Sequence, residues 1–300
     1  MKRVVSVSLG SSRRNHQATA EFGGEMFSIE RIGTDGDKQK AIDMIRELDG
    51  TVDAFGLGGT DLYIFAGDKR YTFRESVEIA AAAKKTPIVD GSGLKNTLER
   101  RVVQYLQNQA GICFQDKPVL VVCAVDRFGL AEALVKAGSK AVFGDLLFGL
   151  GLPIPIRSLA GLARLAQVIA PVVTKLPIRM FYPTGKKQTE NKPLFSSYFH
   201  QAEIVAGDFH FIRRYMPADM KGKWIITNTV TAEDEQFLAG RGVSTLVTTT
   251  PDLGGRSFGT NVLEGVLVTL AGKPPQKLTV DDYEKILDDI GLVPRIKQLA

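Results

Sequence analysis

The sequence predicts an α/β protein in which a mixed α/β unit is followed by a parallel, doubly wound sheet. Three observations carry this prediction. Short apolar segments alternate with amphipathic segments along most of the chain, as strands alternate with helices. Glycine-rich turn signals separate these segments. From about residue 113 the alternation becomes a regular strand–helix repeat, which indicates parallel strands joined by crossover helices.

The first predicted domain covers residues 1–112. It begins with a strand, a hairpin through Gly23-Gly24, a helix that stops at Gly50 and a short buried strand. A second hairpin with Gly67-Asp68 at its turn follows. The segments that complete the domain are an alanine-rich helix, a strand and a long helix, namely RESVEIAAAAKK, TPIVDGSG and LKNTLERRVVQYLQNQ.

The second predicted domain covers residues 113–300. Its strands and helices alternate up to STLVTTTP, the last strand that the pattern indicates, and two helices then close the chain. Two helix starts carry capping signals. Ser158 is a predicted N-cap, and Thr231 with Asp234 three residues later forms a predicted capping box.

The composition limits the classes of function. With 300 residues, 44% of them hydrophobic, the chain can bury a sizeable core. The net charge of +5 comes from scattered basic residues without an aromatic-basic block, so we expect a small anionic ligand and no nucleic-acid partner. No apolar run approaches about 18 residues, so we expect no membrane span. The N-terminus predicts a strand and no signal peptide.

Cysteine and histidine are rare. Cys113 and Cys123 are too few for a disulfide framework, and the three histidines are too widely spaced for a metal site. We therefore expect no metal and a location in the reducing cytoplasm. The sequence leaves the oligomeric state open and is compatible with a homo-oligomer.

The first turn of the second domain predicts a Rossmann-like nucleotide site with an altered fingerprint. A dinucleotide fold carries G-x-G-x-x-G here, and an acid about 20 residues later binds the ribose hydroxyls. The chain has Ala124, Asp126 and Gly129 at the three glycine positions, and Asp145 where the acid is expected, at the end of the second predicted strand. This carboxylate favours NAD over NADP because it repels a 2′-phosphate.

Asp126 leaves two interpretations of this turn open. Its charge repels a pyrophosphate unless the adjacent Arg127 offsets it. It can also point away and cap the helix that starts near Phe128, whose N-terminus would still face an anion. The alternative to a nucleotide site is a βαβ unit that holds no nucleotide.

Other predicted strand ends of the second domain carry small and polar residues. Gly207, Thr227 and Asn228 follow or end strands, and ligands of such sheets bind beyond the carboxyl ends. We therefore include them in the predicted cofactor site. Their alternative role is to cap helices and end strands.

The densest polar cluster of the first domain is VDGSGLKN. Asp90 ends a strand, glycines follow, and Lys95 falls in the first turn of the next helix. A partly buried lysine can be tuned towards neutral pH, so Lys95 with Asp90 is the predicted acid/base pair. The alternative is an ordinary turn with a surface lysine.

The order of parts resembles the shikimate and quinate dehydrogenases. The segments GSSRRNH, RIGTDGD, TPIVDGSGLKNTLERR and GDLLFGLGLPIP are also similar to those of a bacterial family named quinate 5-dehydrogenase. The resemblance implies NAD-dependent hydride transfer on a small polyhydroxylated carboxylic acid. However, the N-V-T-x-P-x-K segment, the N-T-D aspartate and the glycine-rich turn of shikimate dehydrogenases are missing.

The sequence thus supports two classes of function. The first is an NAD-dependent oxidoreductase with Lys95 and Asp90 at the reacting oxygen. The second is a non-catalytic Rossmann-like protein that binds or senses a ligand, which the altered turn and the missing motifs favour. A third interpretation, an RNA-associated protein, rests on charge alone.

Overall fold

The computed structural model describes residues 1–66, 69–177, 190–251 and 257–299, which form two α/β lobes. The strands are β1 (Lys2–Ser8), β2 (His16–Phe22), β3 (Glu25–Gly33), β4 (Ala54–Gly58), β5 (Tyr63–Ala66), β6 (Lys69–Thr72), β7 (Ile88–Val89), β8 (Pro118–Val121), β9 (Lys140–Phe143), β10 (Ile204–Ala206), β11 (Trp224–Thr227), β12 (Thr245–Thr248) and β13 (Arg295–Gln298). The helices are α1 (Lys38–Leu48), α2 (Arg74–Ala80), α3 (Ser92–Asn108), α4 (Phe128–Lys136), α5 (Leu159–Val173), α6 (Ser196–Gln201), α7 (Phe209–Tyr215), α8 (Ala232–Ala239), α9 (Thr260–Ala271) and α10 (Val280–Asp289).

The first lobe is built on a sheet of order β2-β3-β1-β4-β7. Strand β1 pairs in parallel with β3 and with β4, and β4 pairs in parallel with β7. Strand β2 forms the predicted antiparallel hairpin with β3. Strands β5 and β6 form the second predicted hairpin, whose turn at residues 67–68 lies outside the described residues. The direction of winding therefore reverses at β1, between β3 and β4.

The second lobe is built on a sheet of order β13-β12-β11-β10-β8-β9. All neighbouring pairs are parallel except β12 with β13. The winding reverses at β8, between β9 and β10, which is the flavodoxin-like order of a doubly wound sheet. The predicted fold class, a mixed α/β domain followed by a Rossmann-like sheet, is confirmed.

Two predicted details of the second sheet are wrong. STLVTTTP is not the last strand, because β13 pairs antiparallel with β12 at the edge of the sheet. Its residues alternate between half-buried and exposed, so it lacks the apolar run that marked the other strands. Strand β9 ends at Phe143, and Asp145 instead opens a short π-helical turn, Asp145–Gly149.

The C-terminal helices return to the first lobe. Val262 and Val266 of α9 pack with Val4 and Phe27 of the first sheet. Gly265 lets α9 approach closely, since a Cβ there would lie 2.9 Å from Val4 Cγ1. Helix α10 packs against α3 and α9 in a separate apolar cluster. The strands of each sheet therefore fall on their own side of residue 112, while α9, which comes between β12 and β13 in the chain, covers the first sheet.

The capping predictions have mixed outcomes. Ser158 Oγ accepts the N–H of Gly161 at 3.1 Å, and Thr231 and Asp234 form the capping box at α8. Asp126, by contrast, caps nothing: Arg127 occupies the cap position of α4, which has no side-chain cap bond. The carboxylate of Asp126 instead accepts a hydrogen bond from Lys95.

Candidate functional site: the cleft between the lobes

A polar cleft of about 130 Å³ lies between the two lobes. Its lining comes from β1 and the residues after β4 and β7 in the first lobe, and from the residues after β8, β10 and β11 in the second. Parallel strands end there in both sheets. The reversal points at β1 and β8 both face the cleft, and in open α/β sheets such points are where ligands bind. We call this space the interlobe cleft.

Lys95 joins the two lobes across the interlobe cleft. Its Nζ lies 3.0 Å from Asp61 Oδ1, after β4, and 2.7 Å from Asp126 Oδ1, after β8. The lysine side chain is 8% exposed. Burial lowers the pKa of Lys95, but the charges of Asp126 and Asp61 outweigh it and hold the pKa above its ordinary value. Lys95 is therefore a fixed cation, not a lysine tuned towards neutrality.

Asp90 lines the same cleft without pairing directly with Lys95. Its Oδ2 accepts the N–H of Leu62 at 2.6 Å and the hydroxyl of Ser92 at 2.5 Å. Burial raises the pKa of Asp90. The predicted pair of Lys95 with Asp90 is thus replaced by Asp61–Lys95–Asp126, and Asp90 holds the turn that leads into α3.

Arg127 forms a second buried ion cluster beside the first. Its guanidinium contacts Glu99 of α3, and its Nη2 lies 3.2 Å from Asp208 Oδ2. Asn228 donates to the same Asp208 oxygen at 2.8 Å. Burial lowers the pKa of Arg127, but Glu99, Asp208 and Asp126 outweigh it and keep the pKa above its ordinary value. The arginine therefore ties β8 to β10 at the reversal point of the second sheet.

A third set of charges connects the lobes at the cleft. Arg14, between β1 and β2, donates from Nη1 to Asp234 Oδ2 of α8 at 2.9 Å, and Arg213 contacts the other carboxylate oxygen. His210 also lines the cleft. Burial and the charge of Arg14 lower its pKa to about 4, so the imidazole is neutral at pH 7.

The predicted cofactor turn is held together by Asp145. Its carboxylate accepts the N–H of Val125 at 2.8 Å and the N–H of Ala124 at 3.1 Å. Burial raises the pKa of Asp145 to about 6. Two donors of the turn that a pyrophosphate would need are therefore already engaged by the residue predicted to hold the ribose.

Phe128 and Gly129, the last two residues of the predicted cofactor turn, make contacts within the protein. Gly129 donates its N–H to Asn96 Oδ1 at 2.9 Å, and a Cβ on Gly129 would lie 2.6 Å from Asn96 O. This glycine therefore allows α4 to approach α3, rather than allowing a helix to approach a strand. Phe128 packs against the core of the second lobe. The residues present do not fit a pyrophosphate at this turn.

The other predicted cofactor residues lie at the ends of β10 and β11. Gly207 has a φ of +131°, and Thr227 donates its hydroxyl to Gly207 O at 2.7 Å. These two residues hold adjacent strands together. Asn228 lines the interlobe cleft. The cleft therefore brings together Lys95, Asp90, Asp126, Arg127 and Asn228 of the predicted site residues.

Several cleft residues were not among the predicted site residues. Asp61, Asp208 and Arg14 supply charges, and the Thr260-Asn261 pair supplies polar groups at the start of α9. Asp61 and Asp208 follow strands, so the rule that ligands bind beyond strand ends would have found them. No local sequence pattern identifies Arg14, Thr260 or Asn261 as site residues, because they reach the cleft only through the packing of the lobes.

Glu264 of α9 is a buried carboxyl next to the site. Its Oε2 accepts the N–H of Gly91 at 2.6 Å, and its Oε1 accepts the hydroxyl of Tyr283 at 2.7 Å. Burial, with a smaller contribution from Asp90, raises its pKa to about 8. The folded state therefore keeps this proton over a pH range where the unfolded state, with a pKa of about 4.3 for glutamate, has released it.

We expect Glu264→Gln to flatten the pH dependence of stability. The Glu264 contribution is fully present below the unfolded pKa and is lost as pH rises towards about 8, with a slope of at most about 1.4 kcal/mol per pH unit. Urea unfolding between pH 5 and pH 8 measures the difference. Glu284→Gln, at a residue of α10 whose side chain is 38% exposed, is the control. Parallel pH profiles for wild type and Glu264→Gln would contradict the assignment.

No group of three or more metal-binding side chains is arranged to hold a metal ion within the described part of the chain. Among the same residues, no helix has both the length and the apolar character that crossing a bilayer requires.

The fold and the cleft define a two-lobed α/β protein with a polar site at the strand ends of both lobes. Residues 93–299 match the family model described as Domain of unknown function (DUF8754), and the chain belongs to this family. Residues 3–90 match a second model, Domain of unknown function (DUF8753). No curated protein matches the chain.

Solved structures with a similar arrangement belong to different classes. A galactofuranose binding protein is 13% identical, with 97% of this chain and 99% of that chain covered and a TM-score of 0.35. An NAD-dependent malic enzyme from Thermotoga maritima is 10% identical, with 96% and 84% covered and a TM-score of 0.35. An ABC transporter solute binding protein from Agrobacterium vitis, bound with alpha-D-tagatopyranose, is 10% identical, with 91% and 90% covered and a TM-score of 0.36.

Proposed function

We propose that this protein binds a small polyhydroxylated anion in the interlobe cleft, as a non-catalytic binding or sensing protein. The observation that carries the proposal is the convergence of charged and polar side chains from both lobes at the reversal points of two sheets. A ligand held there contacts both lobes at once. Its binding would therefore be coupled to their relative position.

The chemistry of the cleft lining supports a ligand with hydroxyl groups and a negative charge. Asp61, Asp126 and Asn228 offer acceptors and a donor to hydroxyls, while Lys95 supplies a buried positive charge. Small-molecule sites commonly use a few convergent polar groups to fix orientation. A neutral apolar ligand would displace water from these polar groups without offering them a hydrogen bond in return.

The state of the Ala124–Gly129 turn favours binding without a nucleotide. The N–H groups of Ala124, Val125 and Gly129 donate within the chain, and Asp126 adds a negative charge beside them. An NAD pyrophosphate would have to displace these contacts. A small anion bound in the interlobe cleft would leave these backbone hydrogen bonds in place.

Calorimetry with a panel of ligands tests this function. The panel contains quinate, shikimate, gluconate, a neutral polyol and NAD. We expect one or more of the acids to bind and NAD not to bind. Asn228→Leu, which removes an amide that lines the cleft, should weaken acid binding by about 10-fold, since the loss of one hydrogen bond to the ligand costs about 1.5 kcal/mol.

The control for this experiment is Asn108→Leu, at an exposed position near the end of α3. It should bind the acids as the wild type does. If none of the acids bound, the proposed function would be wrong.

A second candidate is an NAD-dependent oxidoreductase that acts on a polyhydroxylated acid. The position of Lys95 between carboxylates of both lobes favours it, because such a cation can stabilise negative charge on a reacting oxygen. The similarity to the quinate 5-dehydrogenase family points the same way. NAD binding in the same panel, followed by NADH formation with quinate or shikimate, would favour this candidate over the first.

A further inference from the structure

Helix α9 begins inside the interlobe cleft with backbone donors that no described residue satisfies. Its N-cap residue, Gly259, makes no side-chain cap bond, and its first turn contains no acid. Among the described residues, none accepts a hydrogen bond from the backbone N–H of Thr260 or of Asn261.

The Thr260 side chain is a second, independent observation at this position. Thr260 is 7% exposed and lines the cleft, yet its hydroxyl has no hydrogen-bond partner among the residues that the structure describes. Its oxygen keeps some contact with the open space of the cleft. A ligand oxygen there can accept a hydrogen bond from this hydroxyl.

The start of α9 is held rigidly in place. Asn261 donates from Nδ2 to Ser6 Oγ of β1 at 2.7 Å. Gly91 packs directly against it, because a Cβ on Gly91 would lie 2.9 Å from Asn261 N and 3.1 Å from Thr260 Cβ. The donors are therefore fixed before a ligand arrives, which reduces the entropy cost of binding.

The charges around this turn favour an anion. Arg14 and Arg31 line the same cleft, and the positive end of the α9 dipole adds a partial charge of about +0.5. The other acids of the cleft pair with Lys95 or Arg127, namely Asp61, Asp126 and Asp208. Asp90 and Glu264 lie beside this turn, next to Gly91. Burial raises the pKa of both carboxyls, to about 8 for Glu264, so the neutral form of Glu264 is favoured at pH 7.

We propose that the start of α9 is the anion-binding subsite of the interlobe cleft. The Thr260 hydroxyl and the N–H groups of Thr260 and Asn261 would hold an oxyanion, a carboxylate or a phosphate, while the hydroxyl groups of the ligand face Lys95, Asp61 and Asp126. This inference rests on the proposed function for its ligand and adds the subsite and the orientation of the ligand.

Thr260→Val tests the subsite, because valine keeps the shape and removes the hydroxyl. The probes are quinate, its uncharged methyl ester and inorganic phosphate, each titrated by calorimetry. We expect wild type to prefer quinate to the ester, and Thr260→Val to bind quinate about 10-fold more weakly with little change for the ester. Phosphate should compete with quinate in wild type and less effectively in the variant.

Two further variants control for folding. Thr260→Ser keeps the hydroxyl and should retain the preference for quinate, including if Thr260→Val proves unstable in thermal unfolding. Thr269→Val removes a hydroxyl at the other end of α9, where it donates to Gly265 O at 2.8 Å, and should bind both probes as wild type does.

The outcomes separate this inference from the proposed function. Wild-type binding of quinate with unchanged affinity in Thr260→Val would overturn the subsite and leave the function standing. If no polyhydroxylated acid bound, the proposed function would be wrong. The phosphate titrations would then test the subsite by themselves. Phosphate binding that weakens in Thr260→Val and not in Thr260→Ser supports the subsite, and no phosphate binding overturns it.

Discussion

Replacing Arg127 with methionine is expected to destabilise the protein by about 3–5 kcal/mol. Arg127 contacts Glu99, whose side chain is 1% exposed, and also reaches Asp208. Methionine fills a similar volume but leaves these carboxylates without their cation. Uncompensated buried charge is among the largest single costs that a substitution can impose. Urea unfolding at pH 7 measures the loss.

Arg100→Met is the matched control for this prediction. Arg100 pairs with Glu132 at 2.8 Å, but its side chain is 38% exposed, so we expect a loss below about 1 kcal/mol. The double variant Arg127→Met with Glu99→Leu should recover part of the stability, since removing both partners leaves less unpaired charge. A loss for Arg127→Met as small as that of the control would show that the cluster is not a stabilising ion network.

Replacing Lys95 with methionine is expected to cost about 3–5 kcal/mol at pH 8, and less at pH 5. Without Lys95, Asp61 and Asp126 lose the cation that joins them. One of the two carboxyls would then have a raised pKa and take up a proton as pH falls. A raised carboxyl pKa means that stability is lost as pH rises, so the deficit relative to wild type should grow from pH 5 to pH 8.

Thermal and urea unfolding at both pH values test this prediction. Lys117→Met is the control, because Lys117 pairs with Glu203 at the surface and its loss should depend little on pH. Asp126→Asn in the Lys95→Met background should restore part of the stability at pH 8. A deficit that is equal at both pH values would contradict the two-carboxylate arrangement.

Some errors in the predicted site share one cause. Asp126 and Asp145 were placed correctly near the first turn of the second lobe, and their spacing matched a nucleotide fingerprint. The sequence does not show which group each carboxylate faces. In the structure Asp145 accepts backbone N–H groups of the turn and Asp126 binds Lys95, 31 residues earlier in the chain. Spacing along the chain predicted proximity but not partners.

The order and type of most elements follow from the sequence by itself. Apolar runs of four to eight residues define the buried parallel strands, and glycine turns and capping residues mark where helices begin and end. These signals are local, since each depends on residues within one or two turns of the chain. Lys95 and Asp90 could be selected in the same way, because Asp90 ends a strand, glycines follow it, and Lys95 comes in the first turn of the next helix.

Only the tertiary structure decided how these elements form a site. The return of α9 to the first sheet places Thr260 and Asn261 in the cleft, about 170 residues from Asp90 in sequence. The Arg14–Asp234 pair similarly joins residues 220 positions apart. No local pattern encodes such contacts, because they depend on the packing of whole lobes and on burial, which also sets the charge state of Lys95 and Glu264.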